Sequence, residues 1–417
     1  MSDSNIQFIV ASSGSAGDTF PFLSIAKDLQ QQGKNVIFAA PTVHRKYAES
    51  ADITFQGFGS DEQYYEALDD PDLWSMRKGI ATVWKYAKDS LTIFSEYINS
   101  FPPEQELIIL SHPLLLPATA IAKKQRPDIK VIAMYLAPAN MRTYDAPSSI
   151  GPLTIPTWMP RFVRKWLWNA IDKRFIDPIL LPDLNEVRRQ HDLAPVNNFV
   201  DHMQSIADCS IALFPTWFCK QRSDWPKPMY SANFQLYDPN KAQGLSSEMT
   251  EFLEKGEAPI IFTPGTANRQ AAKYFKHALD ATQRLGRRAI FLTLFPEQIP
   301  KNLPDSILWQ PYHPLSQLLP FAAAIVHHGG IGTTAEALRA GIPQLIIPMA
   351  HDQFDNAFRV QSFGVGDFIF HSRLTTRKLY TSLNHLLASK SVHMKCRKIA
   401  GYFPDHPNEQ SLYDFIN

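Results

Sequence analysis

Short runs of Ile, Val, Leu and Phe, each followed by a helix-like stretch, recur along this chain in two separate series, and no other feature limits its fold so strongly. In the first series Ile6 to Ala11 reads as a buried strand, followed by a Gly/Ser loop and a helix from about Phe22 to Gln32 that Gly33 closes. Asn35 to Ala40, Leu107 to Leu110 and Val131 to Tyr135 read as further strands, with a helix from about Ala118 to Gln125 between the last two. Strands that are apolar along their whole length are buried on both faces. Alternation with helices then implies a parallel sheet covered on both sides.

The pattern restarts at Pro259 to Phe262, with strands at Ala289 to Leu294, Ala324 to His327 and Gln344 to Ile347. Helices are expected at Arg269 to Leu285, Thr333 to Ala340 and Asp352 to Phe363. At 417 residues the chain exceeds one hydrophobic core, so each series is assigned its own α/β domain. The boundaries are residues 1–225 and 226–392, with a final helix over about 393–417 packing back on the first domain. The aperiodic, aromatic-rich stretch Gln221 to Gln243 is read as the linker. Two facing domains make a cleft, and ligands bind where strand C-termini open into it. The segment Tyr144 to Asp183 breaks the alternation and carries Trp158, Met159, Trp166 and Trp168. It is either helices packed on the first sheet or a substrate pocket or lid.

Composition excludes several partners. The 41 basic and 40 acidic residues leave a net charge of +1 without basic runs, so no nucleic acid is expected. The N-terminus is polar and the apolar run behind it short, and no stretch approaches the roughly 18 residues of a membrane span. The cytoplasm is the expected location, with peripheral contact at the inner face of a membrane left open. The three cysteines have no Cys-x-x-Cys spacing, which suggests neither a disulfide framework nor zinc. Asp70-Pro71-Asp72 has the carboxylate spacing of a metal site but lies in an acidic stretch, and it is read as a solvated turn.

The most informative segment is His327-His328-Gly329-Gly330-Ile331-Gly332-Thr333-Thr334-Ala335-Glu336, at the end of a strand and the start of a helix. Glycines let a ligand approach the backbone closely, and the first N–H groups of a helix face it with the positive end of the dipole. With an imidazole and a threonine hydroxyl added, this is an anion site suited to a diphosphate. At the next strand-to-helix junction stand Asp352 and Gln353, an acceptor-only carboxylate and a two-way amide suited to sugar hydroxyls. Alone, Asp352 reads equally as a helix N-cap.

From Tyr312 to Phe358 the chain resembles the donor-binding signature of the nucleotide-sugar-dependent glycosyltransferases of GT-B fold. That family includes sterol, macrolide, glycopeptide-antibiotic and plant secondary-product transferases, and the likeness extends to bacterial rhamnolipid rhamnosyltransferases. The resemblance is carried by His-Gly-Gly-x-Gly-Thr-x-x-Glu, by Gly341-x-Pro343 and by Pro-Met-x-x-Asp-Gln. It implies two facing Rossmann-like domains with a cleft between them. It places the donor pyrophosphate on His328, Gly329, Gly330, Gly332 and Thr333, with Glu336 beside them, and the sugar on Asp352 and Gln353. Tyr312 stands where plant members stack a tryptophan on the nucleotide base, and Gly265-Thr266 where relatives have a phosphate-touching Gly-Ser turn. No cofactor and no metal are implied beyond the nucleotide-sugar co-substrate.

The resemblance assigns the catalytic base to Asp18, in Gly14-Ser15-Ala16-Gly17-Asp18-Thr19-Phe20-Pro21, and sets Gly14 and Gly17 against the donor. Chemistry supports the same assignment: a carboxylate after the first strand can take the proton of an attacking hydroxyl. N-capping of the next helix is the competing role, and from this loop alone the two stand even. His112, at a strand end, either assists Asp18 and the acceptor or is a satisfied core histidine. Trp158 and Trp166 either line an apolar acceptor pocket or, more commonly for such residues, pack in the core. The expected reaction is an inverting, metal-independent transfer of a hexosyl group from a UDP- or dTDP-linked donor to a hydroxyl of a small lipophilic acceptor. A nucleotide-sugar epimerase and a catalytically silent sugar-nucleotide-binding subunit are the alternatives. A nicotinamide dehydrogenase is disfavoured, since Gly14-Ser15-Ala16-Gly17 lacks the Gly-x-Gly-x-x-Gly spacing and the second strand ends without an acidic residue.

Overall fold

The computed structural model describes residues 6–151, 153–241 and 244–403. The chain divides into two compact units between Tyr237 and Asp238. The N-terminal unit carries β1 (Ile6–Ala11), β2 (Asn35–Pro41), β3 (Thr54–Phe58), β4 (Glu106–Ser111), β5 (Lys130–Tyr135), the hairpin β6 (Ser148–Ile150) and β7 (Leu153–Ile155), β8 (Cys209–Ala212) and β9 (Met229–Ser231). Its main sheet runs β3-β2-β1-β4-β5-β8-β9, with every neighbouring pair parallel. The C-terminal unit holds β10 (Ile260–Thr263), β11 (Ala289–Leu292), β12 (Ile307–Gln310), β13 (Ala324–His327), β14 (Gln344–Ile346) and β15 (Gly366–Phe368). Its order is β12-β11-β10-β13-β14-β15, again parallel throughout.

Both sheets reverse direction once. The chain lays β1, β2 and β3 outward and returns to place β4 on the other side of β1; β10, β11, β12 and β13 repeat the move. At such a switch point the strand C-termini part and leave a crevice. In the C-terminal unit Ile260 and Phe262 pack with Tyr274 and Phe275 on one face of the sheet, while Ile261, Ile290 and Ile325 pack with Leu318 and Ala337 on the other. Helices on both faces are why these strands read as unbroken apolar runs. Each such side chain contributes about 1.5–3 kcal/mol of burial.

The expected elements are present, with three differences. The first helix begins at Ala16 rather than Phe22, because Ser15 and Asp18 form a capping box that starts it five residues before Pro21. The proline lies inside the helix, where it removes one hydrogen bond without ending it. Within the stretch read as linker, β9 adds a seventh strand to the first sheet. The described part of the last expected helix, Lys390–Ala400, belongs to the C-terminal unit; from residue 404 on, that expectation lies outside the described residues.

Candidate active site

In the C-terminal unit the ends of β10 and β13 adjoin, with Thr263 paired to His327. Two histidines in succession have different duties. His327 is buried; its Nδ1 accepts the Gly329 N–H at 3.1 Å, and its Nε2 donates to Gln344 Oε1 at 3.0 Å. Burial holds its pKa down to about 3, so it is a neutral strut that shapes the turn. His328 turns the other way. A Cβ placed on Gly265 would stand 2.8 Å from its ring, and one on Gly330 would stand 2.6 Å from its Nε2. The ring is therefore held between two glycine backbones, one of them at φ +92°. Its Nδ1 is buried and has no hydrogen-bond partner, and burial lowers its pKa to about 4. His328 is thus neutral near pH 7 and offers an imidazole N–H or lone pair, not a cation.

Gly330 caps the helix Ile331–Ala340, whose first N–H groups lack intrahelical partners. A Cβ on Gly332 would meet no heavy atom within 4 Å, so the helix start borders open space. Of the two threonines, Thr334 is buried and spends its hydroxyl on the Gly330 carbonyl at 3.0 Å. Thr333 stays partly exposed. Glu336 is half-buried one turn on and paired with Arg339, and its carboxyl is pushed up chiefly by burial. Thr266 is exposed beyond Gly265, whose N–H is held by Thr263 Oγ1 at 3.3 Å. Tyr312 is half-buried and donates its hydroxyl to Asp238. His328 lines a small recess together with Pro264, Asn268, Tyr274, Met349 and His371 among others.

The second loop is tied to the first. Asn356 donates from Nδ2 to the Gly329 carbonyl and to Asp352 Oδ2, each at 2.8 Å. Asp352 occupies the N-cap position of the helix Gln353–Phe363, but its side chain makes no capping bond. Gln353 is buried, and its Oε1 accepts the Met349 and Ala350 N–H groups at 2.8 and 3.2 Å. Its carbonyl is therefore spent on the turn. Only the amide N–H groups remain for a ligand, which corrects the two-way role expected of it.

In the N-terminal unit β1 leads into a turn where Gly14 has φ +114°, and a Cβ there would stand 2.5 Å from Asp18 Oδ2. That oxygen accepts the Ser15 N–H at 2.9 Å and the Ser15 hydroxyl at 3.0 Å. The capping role that competes with catalysis is thus filled by this oxygen. Burial raises the Asp18 pKa above its ordinary value, with the Ser15 bonds opposing it. A carboxylate made more basic in this way is better suited to accept a proton. Gly17, in the same first turn, is exposed. His112, at the end of β4, is buried against Phe22, takes the Leu114 N–H on Nδ1 at 3.3 Å and has its pKa lowered to about 4. It has the environment of a satisfied core histidine.

Both units have counterparts among known proteins. Residues 8–101 match the glycosyltransferase family 28 N-terminal domain, and residues 286–411 match the erythromycin biosynthesis protein CIII-like C-terminal domain. This chain is a glycosyltransferase of the GT-B type. Among its relatives is the O-mycaminosyltylonolide 6-deoxyallosyltransferase of Streptomyces fradiae, 25% identical over 93% of this chain and 91% of the relative. A sterol 3-beta-glucosyltransferase of Arabidopsis thaliana is 24% identical over 93% of this chain, which spans 64% of that longer protein. The solved structure of the glycosyltransferase VinC in complex with dTDP superposes with a TM-score of 0.63 at 19% identity, covering 95% of this chain and 94% of that one.

The aromatic candidates of this glycosyltransferase fall elsewhere than expected. Trp158 and Trp166 are neither core nor enclosed: both are exposed, before and on the helix Arg161–Ile171, whereas Trp168 on the same helix is buried. Helical spacing turns Trp166 outward when Trp168 turns in. Asp70 and Asp72 form a capped turn paired with Lys85 and Lys78, as read from the sequence. Among the described residues of the enzyme no three His, Cys, Asp or Glu side chains gather as a metal site, and no helix is long and apolar enough to cross a membrane. Two residues that hold these loops, one in each unit, did not stand out in the sequence. Asn356 stands four residues after Asp352 on one helix face, a spacing that could have flagged it. His44 could not be flagged: it lies 30 residues from Gly14, yet its Nε2 donates to the Gly14 carbonyl at 3.2 Å while its ring meets the edge of Tyr64.

Proposed function

We propose that the enzyme transfers a hexosyl group from a UDP- or dTDP-linked sugar to a hydroxyl of a small lipophilic acceptor, with inversion and without a metal ion. The reading rests on the His328 turn. There a neutral imidazole with an unpartnered buried nitrogen is wedged between glycines beside a helix start that opens on empty space. Such a site offers fixed dipoles to a diphosphate where other transferases use a cation. The N-terminal unit is read as the acceptor unit and the C-terminal unit as the donor unit.

In the proposed reaction the Asp18 carboxylate takes the acceptor proton as that oxygen attacks the anomeric carbon. The bond from that carbon to the β-phosphate oxygen breaks, and its electron pair leaves with the diphosphate. Hydrogen bonds from the N–H groups of Gly332 and Thr333, and from the His328 imidazole, spread the departing charge. Asp352 accepts from sugar hydroxyls and Gln353 donates to them. Tyr312, held by Asp238, carries the base on its ring. The acceptor class follows two relatives, the O-mycaminosyltylonolide 6-deoxyallosyltransferase and the sterol 3-beta-glucosyltransferase, and the dTDP held by VinC supports a nucleoside-diphosphate donor.

The test is incubation with a panel of UDP- and dTDP-sugars against sterol, polyketide and hydroxy-acyl acceptors, with mass-spectrometric detection of product. Asp18→Asn is expected to lower kcat by about 10²–10⁴-fold, the usual worth of a general base, with nucleotide binding unchanged. Full activity in that variant would remove the base from the mechanism. Loss of transfer on adding a chelator, restored by a divalent cation, would remove its metal independence.

A further inference from the structure

The insertion after β5 leaves four of its large aromatic side chains in solvent. Trp158, Phe162, Trp166 and Phe175 are 78%, 75%, 66% and 59% exposed, and no other part of the described chain concentrates exposed aromatic surface in this way. The helix Arg161–Ile171 does not need them for its seat. Its inner side buries Arg164 and Trp168; the Arg142 guanidinium lies 3.8 Å from the Trp168 ring centroid and makes two 2.8 Å bonds to buried Asp172. The outward side is thus a second apolar face on a helix already anchored by the first.

Charge decides what that face suits. Phe162 and Trp166 stand four residues apart on one side of the helix, with exposed Lys165 between them and exposed Lys173 and Arg174 just beyond. Neither lysine forms an ion pair among the described residues. From Thr157 to Phe175 the single acidic residue is Asp172, which is buried. A second copy would set cation against cation. Rings this exposed project singly from the surface instead of flooring a groove, so they suit insertion among headgroups better than interlocking with a folded partner. Tryptophan and phenylalanine at headgroup depth, flanked by lysine and arginine, are the chemistry of an interfacial anchor.

We infer that the face formed by Trp158, Phe162, Trp166 and Phe175 with Lys165, Lys173 and Arg174 docks the enzyme on a bilayer that carries anionic lipids. Neither signal suffices alone; together they give reversible attachment. The assignment does not depend on the transfer chemistry, and it would set the enzyme beside a store of lipophilic acceptor.

The test is co-sedimentation of the full chain with vesicles of phosphatidylcholine alone or mixed with phosphatidylglycerol, with tryptophan emission read in parallel. The wild type should pellet with the mixed vesicles only, weaken as salt rises, and shift its emission to the blue on binding. Each cation removed should lower partition about fivefold, and charge reversal in Lys165→Glu with Lys173→Glu by more. Phe162→Ser with Trp166→Ser should remove binding while far-UV circular dichroism stays that of the wild type, since both side chains are in solvent. Equal binding to the two vesicle types, binding to neither, or full binding by both variants overturns the inference. So does a lipid-free dimer, seen by light scattering, that the same substitutions dissolve, because the face would then belong to a second copy.

Discussion

Replacing Gly332 by alanine separates the stability of the His328 turn from its proposed use. Gly332 is the second residue of the helix Ile331–Ala340, its φ is outside the left-handed region, and an added Cβ meets no heavy atom within 4 Å. Alanine restricts the unfolded chain and favours the helix, so Gly332→Ala should raise unfolding stability by up to about 1 kcal/mol. If a phosphate sits on that N–H, however, the new methyl occupies the ligand's place. Loss of one hydrogen bond to a charged group costs about 1.5–3 kcal/mol, roughly ten- to a hundredfold in affinity. Gly330→Ala is the control two residues away. Its Cβ would stand 2.6 Å from His328 Nε2, and the ring cannot retreat because Gly265 closes the other side. That overlap should lower stability by about 1–3 kcal/mol. The two variants therefore move stability in opposite directions and nucleotide affinity in the same direction. Thermal unfolding without ligand, followed by calorimetric titration with UDP and dTDP, measures both. A Gly332→Ala enzyme that binds both nucleotides as tightly as the wild type would refute the placement of the diphosphate.

Four further outcomes follow from the geometry. Asp18 must be deprotonated to act and burial raises its pKa, so kcat/KM should rise with pH through a value above that of an ordinary aspartate and then stay level. His328, neutral above about 4, should add no limb near 6.5, and such a limb that vanishes in His328→Gln would contradict its burial. Asn356→Ala leaves the Gly329 carbonyl and Asp352 without their shared donor; chemical denaturation should show a loss of about 1–3 kcal/mol, with donor KM rising and acceptor KM unchanged. His44→Ala frees the Gly14 carbonyl, so the loop that presents Asp18 should loosen and kcat should fall more than nucleotide affinity, read by steady-state kinetics beside titration.

Much of the architecture was legible because local patterns carry it. Unbroken apolar strands and the helices between them follow from burial on both faces of a parallel sheet, and β13 begins and ends where its sequence run does. Glycines at positions 14, 265, 329 and 330 were likewise visible, since a backbone that admits no side chain leaves a mark in sequence. Pro21 misled, because a capping box upstream outweighs one missing hydrogen bond.

By itself, then, the sequence determined two α/β units and the loops that carry their chemistry, for periodicity and turn composition are properties of neighbouring residues. Tertiary structure alone decided the division of labour within those loops. It made His327 a strut and left His328 Nδ1 without a partner, committed Thr334 but not Thr333, spent the Gln353 carbonyl on its own turn, and set His44 against Gly14. It also turned Trp166 to solvent and Trp168 to the core. The His44 and Trp168 contacts bring in groups far away in sequence, which no short window contains. The His327, Thr334 and Gln353 bonds are local, but which of several nearby donors and acceptors pair is settled only by the packing around the turn.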